Sequence, residues 1–253
     1  MKNRRVLFTL VLAAVLLTTL VAIPAFAGSL PPYAELRAAL KSVVVEKNGG
    51  FGLNMWATVV DRDGVVKLVV FSGEKRGDQW PGSRVISAQK ANTANAFSLP
   101  SLALSTANLF SAVQPGGSLY GLQFSNPVDT TAAYRGPSKA FGTENDPMVG
   151  RKIGGVNVFG GGLPLYDSAG NLIGAIGVSG DSSCADHNIA WKVRHILKLD
   201  YVPSGVSPTK DDNIVNDIID GKSTSGWGHP ICSDEAAKIA KEFSNSHPIR
   251  SKK

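Results

Sequence analysis

Residues 160–181 read GGGLPLYDSAGNLIGAIGVSGD, two apolar runs rich in glycine on either side of Asp167-Ser168-Ala169-Gly170-Asn171. Turn-forming residues between two such runs make a hairpin. In the second run one face carries Leu172, Gly174, Ile176 and Val178, and the other carries Ile173, Ala175, Gly177 and Ser179. Neither face is polar, which marks a central strand covered on both sides. The glycines and Ala175 also leave part of one face flat, so a helix, a second backbone or a planar ligand can approach closely there.

Upstream, LNMWATVVDRDGVVKLVVFSG (residues 53–73) repeats the pattern, with β-branched runs around Asp61-Arg62-Asp63-Gly64. The two hairpins share Asp-x-x-Gly at the turn and Ser-Gly at the end of the second strand, which is shared turn chemistry and not a demonstrated repeat. An amphipathic helix precedes them, with Leu36, Leu40, Val43 and Val44 at helical spacing after Pro31-Pro32 and Gly49-Gly50 as the stop. Ser83 is expected to cap a helix through Phe97 that Pro100 ends. A short helix near LALSTANLFSAV and a strand at residues 119–124 follow, and residues 126–152, rich in Pro, Gly, Asn and Thr, read as a long surface loop.

After the central hairpin, SSCADHNIAWKVRHILKL reads as a helix burying Ile189, Ala190, Val193, Ile196 and Leu197. Ser183 and Asp186 have capping-box spacing. His187, Trp191 and His195 recur every four residues on the other side, which leaves an exposed Trp between two histidines. Residues 200–253 are loop-rich, with one short helix from about Asp234, and too poor in apolar residues to fold alone. They are expected to wrap the main domain.

Residues 1–27 carry Lys2, Arg4 and Arg5, a long apolar run, Pro24 and Ala25-Phe26-Ala27, the order of a secretory signal peptide. The A-x-A ending and Pro24 favour cleavage over retention as a membrane anchor, so a secreted or periplasmic protein without a stable membrane span is expected. Setting aside its three bases lowers the formal charge from +6 to +3. With no basic stripe interleaved with aromatics, and with export, a nucleic-acid partner is not expected. In an oxidising compartment the only two cysteines, Cys184 and Cys232, are expected to form a disulfide, which closes a loop of roughly 50 residues and stabilises the fold by roughly 4 kcal/mol. A redox pair or metal ligands are the alternatives, though C-x-x-C spacing is lacking.

Several catalytic devices are absent. There is no phosphate-binding loop, no H-E-x-x-H, and Gly160-Gly161-Gly162 lacks dinucleotide-fingerprint spacing. Gly177-Val178-Ser179-Gly180-Asp181 departs from the nucleophile elbow by Asp at the closing position.

The stretch GGGLPLYDSAGNLIGAIGVSG, with VVDRDGVVKLVVFSG and SAQKANTANAF (residues 87–97) upstream, resembles the GlcG/HbpS-type haem-binding family, also known as the haem-degrading domain. The resemblance covers residues 30–199. It implies an α+β, profilin-like fold, an antiparallel sheet flanked by helices, with assembly into homo-oligomers, tetrapyrrole binding and, for exported members, haem sensing or handling. No motif carries the family's haem ligands onto this chain residue by residue. Chemistry alone nominates them: His187 or His229 as donor to the haem iron, Trp191, Trp227 and Phe97 against the ring, Arg194 or Lys90 for the propionates. His195 and His247 read as surface residues. The expected function is non-catalytic haem binding, since no acid–base pair or redox motif is visible; oxidative haem breakdown and a ligand-free scaffold are the alternatives.

Overall fold

The computed structural model describes residues 28–251; the signal-peptide expectation therefore lies outside the described residues. In chain order the elements are α1 (Tyr33–Val44), β1 (Trp56–Asp61), β2 (Val66–Phe71), α2 (Ser83–Phe97), α3 (Leu122–Ser125), α4 (Thr130–Ala133), β3 (Gly162–Tyr166), β4 (Leu172–Ser179), α5 (Ser183–Ile196), β5 (Ile218–Ile219), β6 (Lys222–Ser223), α6 (Asp234–Lys241) and α7 (Phe243–Ser246). Short 3₁₀ turns occupy Thr106–Leu109 and Ser111–Val113.

Strands β2-β1-β4-β3 form one antiparallel sheet. The two hairpins join through β1 and β4, with Val59 opposite Ile176 and Trp56 opposite Ser179. Helix α2 covers one face, meeting Val60, Val66, Val69 and Ala175 through Val85, Ala88, Ala91 and Ala94. Helices α1 and α5 cover the other, where Leu36, Leu40 and Val43 pack with Ile189, Ala190 and Val193 over Val59, Ile176 and Val178. This is an α+β fold, an antiparallel sheet flanked by helices.

The flat face of β4 belongs to a helix. A Cβ at Gly177 would sit 1.9 Å from the Ser87 carbonyl oxygen and 2.5 Å from the Ala91 nitrogen, both on α2. On the neighbouring strand a Cβ at Gly162 would lie 2.5 Å from the Lys90 carbonyl oxygen. Glycine lets α2 settle onto the sheet at backbone distance, which leaves no slot there for a planar ligand.

Three local expectations need correction. Helix α1 stops at Val44, well before Gly49, because the Asn48 side chain caps the Val43 carbonyl at 2.9 Å. Gly82 is the N-cap of α2, and Ser83 is its first helical residue. Residues 119–121 turn into α3, which starts at Leu122, and form no strand: Gly121 takes a left-handed conformation (φ +91°), and Tyr120 and Phe124 stay 60% and 78% exposed with no strand beside them. Residues 126–152 form the long, largely exposed loop that the sequence led one to expect, interrupted by α4 and anchored at a few buried points. Ala133 and Met148 are buried against α2, and Arg84 of α2 forms an ion pair with Asp146 while lying 3.7 Å from the Phe141 ring centre.

Residues 200–253 add Ile214, Ala236, Ala240 and Phe243 to the core between α1, α5 and the sheet. Cys184 and Cys232 form a disulfide with Cα atoms 5.9 Å apart. Arg194 of α5 and Asp212 pair through two bonds, at 2.6 and 2.8 Å, with both side chains fully buried. Among the described residues no helix is long and apolar enough to cross a membrane.

Candidate functional site

Helix α5 starts under a Ser182 N-cap whose side chain accepts from the Ala185 N–H, so Ser183 and Asp186 do not form the capping box. Asp186 turns inward. Its Oδ1 accepts the Asp181 N–H at 2.9 Å and its Oδ2 accepts from Lys90 Nζ at 2.6 Å, in a pair sealed between α2, β4 and α5. Burial pushes the Asp186 carboxyl up to about 6 and pulls the Lys90 ammonium down, while each partner opposes the other's shift. Lys90 and Arg194 therefore meet Asp186 and Asp212 and do not face an open slot.

The expectation of an exposed Trp191 is overturned. Trp191 is 2% exposed and stacks on Phe243 with ring centres 5.2 Å apart, and its Nε1 donates to the His247 carbonyl. The sequence pattern failed here because residues 200–253 cover what would be the solvent face of α5. His187 is buried by the same cover. Its Nε2 lies 3.1 Å from the Ile214 N–H and 3.2 Å from Asn213 Oδ1, and its Nδ1 is buried without a hydrogen-bond partner. Desolvation lowers its pKa to about 3, which keeps it neutral. An unpartnered nitrogen has donor chemistry for iron, but the His187 side chain is wholly shielded from solvent in this arrangement, with the Trp191 ring centre 6.1 Å from its own.

His229 lies against Phe110, with ring centres 5.0 Å apart. Its Nδ1 donates to the Pro230 carbonyl at 2.7 Å, so Nε2 accepts from Ser183 Oγ at 2.7 Å. Burial brings its pKa to about 4. Both nitrogens are thus engaged. His195, partly exposed, pairs with Asp200 at 2.8 Å and meets the His247 ring edge-on at 5.2 Å.

Phe97 and Trp227 each pack, half-buried, against the cluster of Leu104, Leu109, Val113 and Val158. Of the nominated residues, Phe97 lines an open groove. That groove has a volume of about 470 Å³ and is lined by Leu122, Pro127 and Val156 together with the polar Asn92, Ser125 and Asn126. A groove of about 530 Å³ lies between residues 207–217 and α6, built entirely by residues beyond 200. Sequence reading missed both: the walls of the first come from three segments distant in the chain, and those of the second from a loop-rich segment with no motif of its own. The nominated set thus divides between a sealed cluster around α5 and an open groove of mixed polar and apolar lining at Phe97, and does not assemble into one haem slot.

Comparison with known proteins follows the fold. Klebsiella pneumoniae protein ORFY is 28% identical, over 66% of this chain and 89% of its own, with a TM-score of 0.44. PduOC, solved in complex with haem, is 24% identical over 66% and 95%, with a TM-score of 0.43. HbpS is 17% identical over 67% and 92%, with a TM-score of 0.40. No curated protein matches the chain. The family model described as "haem degrading protein HbpS-like" matches residues 34–194. With well over half of its length matched, the chain belongs to the HbpS-like family.

Proposed function

We propose that this protein binds haem or a related tetrapyrrole outside the cytoplasm, as a homo-oligomer and without turning it over. Family membership across residues 34–194 is the observation that carries the reading. The groove at Phe97 is the one lined by a residue nominated for the ring, and its aromatic edge with Leu122, Pro127 and Val156 provides contact area for a flat ligand beside the polar Asn92, Ser125 and Asn126. The exposed Arg151 and Lys152, just upstream of Gly154 in the groove wall, are the cations nearest in the chain for the propionates. No imidazole, thiol or thioether lines this groove, so the ring is held by packing and the iron keeps no strong side-chain donor from it. In this reading His187 and His229 stay under their cover.

The test is a hemin titration followed by visible absorption. Wild type should show a saturable Soret shift, Phe97→Asp should weaken it at least tenfold, and a His187→Ala, His229→Ala double variant should bind as wild type. Loss of the shift in the double variant would transfer the site to the α5 cluster, and no shift in wild type would end the reading. The family description favours a second reading, oxidative haem breakdown. It requires progressive bleaching with a reductant and an open-chain product, insensitive to catalase.

A further inference from the structure

The disulfide has surroundings that a structural cross-link does not require. Cys184 N–H donates to Cys232 Sγ at 3.1 Å, and Cys232 N–H donates to Cys184 Sγ at 3.2 Å. A disulfide sulfur is a weak acceptor and gains little from such bonds, whereas a thiolate gains much. Cys184 also sits in the first turn of the 14-residue helix α5, where the helix end favours negative charge. A third donor completes the group: both sulfurs and a ring nitrogen of His229 lie within 4.8 Å of one another, with His229 Nδ1 3.9 Å from Cys184 Sγ.

The outer contacts of His229 suit the same purpose. Ser183 Oγ lies 2.7 Å from Nε2 and itself accepts the Gly160 N–H at 2.7 Å. If Nδ1 gives up its bond to Pro230, the proton moves to Nε2, which then donates to Ser183 Oγ. That leaves the Nδ1 lone pair free and the ring held by its other nitrogen, as metal-bound imidazoles are held.

We propose that Cys184, Cys232 and His229 form a site for a thiophilic divalent cation that opens only when the disulfide is reduced, with zinc the ion best suited to two thiolates and one imidazole. A dithiol reductant transfers two electrons and two protons to the Cys184–Cys232 bond, which yields two thiols while the reductant becomes a disulfide. The cation then displaces one proton from each thiol and binds both thiolates and Nδ1. On zinc bond lengths of about 2.0–2.3 Å, ligand atoms around a tetrahedral ion stand roughly 3.5–4 Å apart, so the three donors need shifts on the order of an ångström or two. Cys184 and His229 are buried and Cys232 is exposed, which gives the ion a route in and leaves its fourth position to water. Disulfide and metal exclude each other because both use the same sulfurs.

The experiment titrates the purified protein anaerobically with cobalt(II), before and after dithiol reduction and removal of the reductant, with the fold checked by circular dichroism. Reduced protein should bind one equivalent and show a thiolate-to-cobalt charge-transfer band with the visible bands of a tetrahedral site, all displaced by zinc. Oxidised protein and a Cys184→Ser, Cys232→Ser variant should show neither band. His229→Ala should weaken binding at least tenfold, and Ser183→Ala, which keeps all three donors, should weaken it by about 10–100-fold. The proposal fails if reduced protein, folded or not, gives no charge-transfer band at one equivalent. It fails equally if the oxidised protein gives the same band, or if His229→Ala binds as wild type.

Discussion

Replacing Gly177 by alanine tests whether helix α2 is what the flat face of β4 exists to receive. The residue does not need glycine's left-handed freedom, so any cost is steric. The added Cβ would meet Ser87 O at 1.9 Å, Ala91 N at 2.5 Å and Lys90 Cβ at 3.0 Å. Reaching ordinary contact of about 3.4 Å means that α2 recedes by roughly 1.5 Å. Two ties resist this: Ser87 Oγ to Thr58 Oγ1 at 2.8 Å, and Lys90 to Asp186 at 2.6 Å. Overpacking of this kind costs about 1–3 kcal/mol, and the ties place it near the upper end, about 3 kcal/mol. For a domain of this size that lowers Tm by roughly 6–12 °C. Gly77→Ala is the reference, since a Cβ there meets nothing within 4 Å, and it should change stability by no more than about 0.5 kcal/mol. Calorimetry or urea unfolding of both variants reads the difference. If Gly177→Ala melts within about 2 °C of wild type, the face is open and the argument that a helix fills it is wrong.

Three further outcomes are expected. Asp212→Ala should destabilise by about 3–5 kcal/mol in urea unfolding, because it strands the buried Arg194 charge, while an Arg194→Met, Asp212→Leu double variant should recover much of the loss; equal losses would refute the pairing argument. His187, with a folded pKa of about 3 against 6.5 when unfolded, should draw down stability as pH falls from 6.5 toward 3, because the unfolded chain takes up the proton first. The stability margin of wild type over His187→Gln should therefore shrink by about 2 kcal/mol between pH 7 and pH 5, a difference in which the opposite trend of Asp186, whose raised pKa adds stability on acidification, cancels; a constant margin would contradict the burial of His187. Sedimentation should show a species larger than one chain, and a monomer at micromolar concentration would remove the oligomer from the proposal.

The two hairpins, the three large helices and the disulfide were legible because each rests on local signals: period-two runs around Asp-x-x-Gly turns, period-3.6 faces, and two cysteines with no other partner. The central position of β4 was readable too, since Ile173 and Ala175 leave it no polar face. What filled its flat side was not readable, because Ser87 and Ala91 lie some ninety positions away. The solvent face assigned to α5 failed for the same reason. Trp191 and His187 keep a helical spacing that says which residues share a side, but Phe243, Asn213 and Ile214, which cover that side, belong to a segment whose path no pattern records. Lys90 and Arg194 looked available for propionates only until Asp186 and Asp212 were placed beside them. The Phe97 groove carries no motif at all.

The most direct test of the account is a hemin titration of the purified wild-type protein alongside the His187→Ala, His229→Ala variant, followed by addition of a reductant. The account predicts the same saturable Soret shift in both proteins, persisting without loss of intensity after reduction. Absence of any shift, or bleaching to an open-chain product that catalase does not suppress, would contradict it.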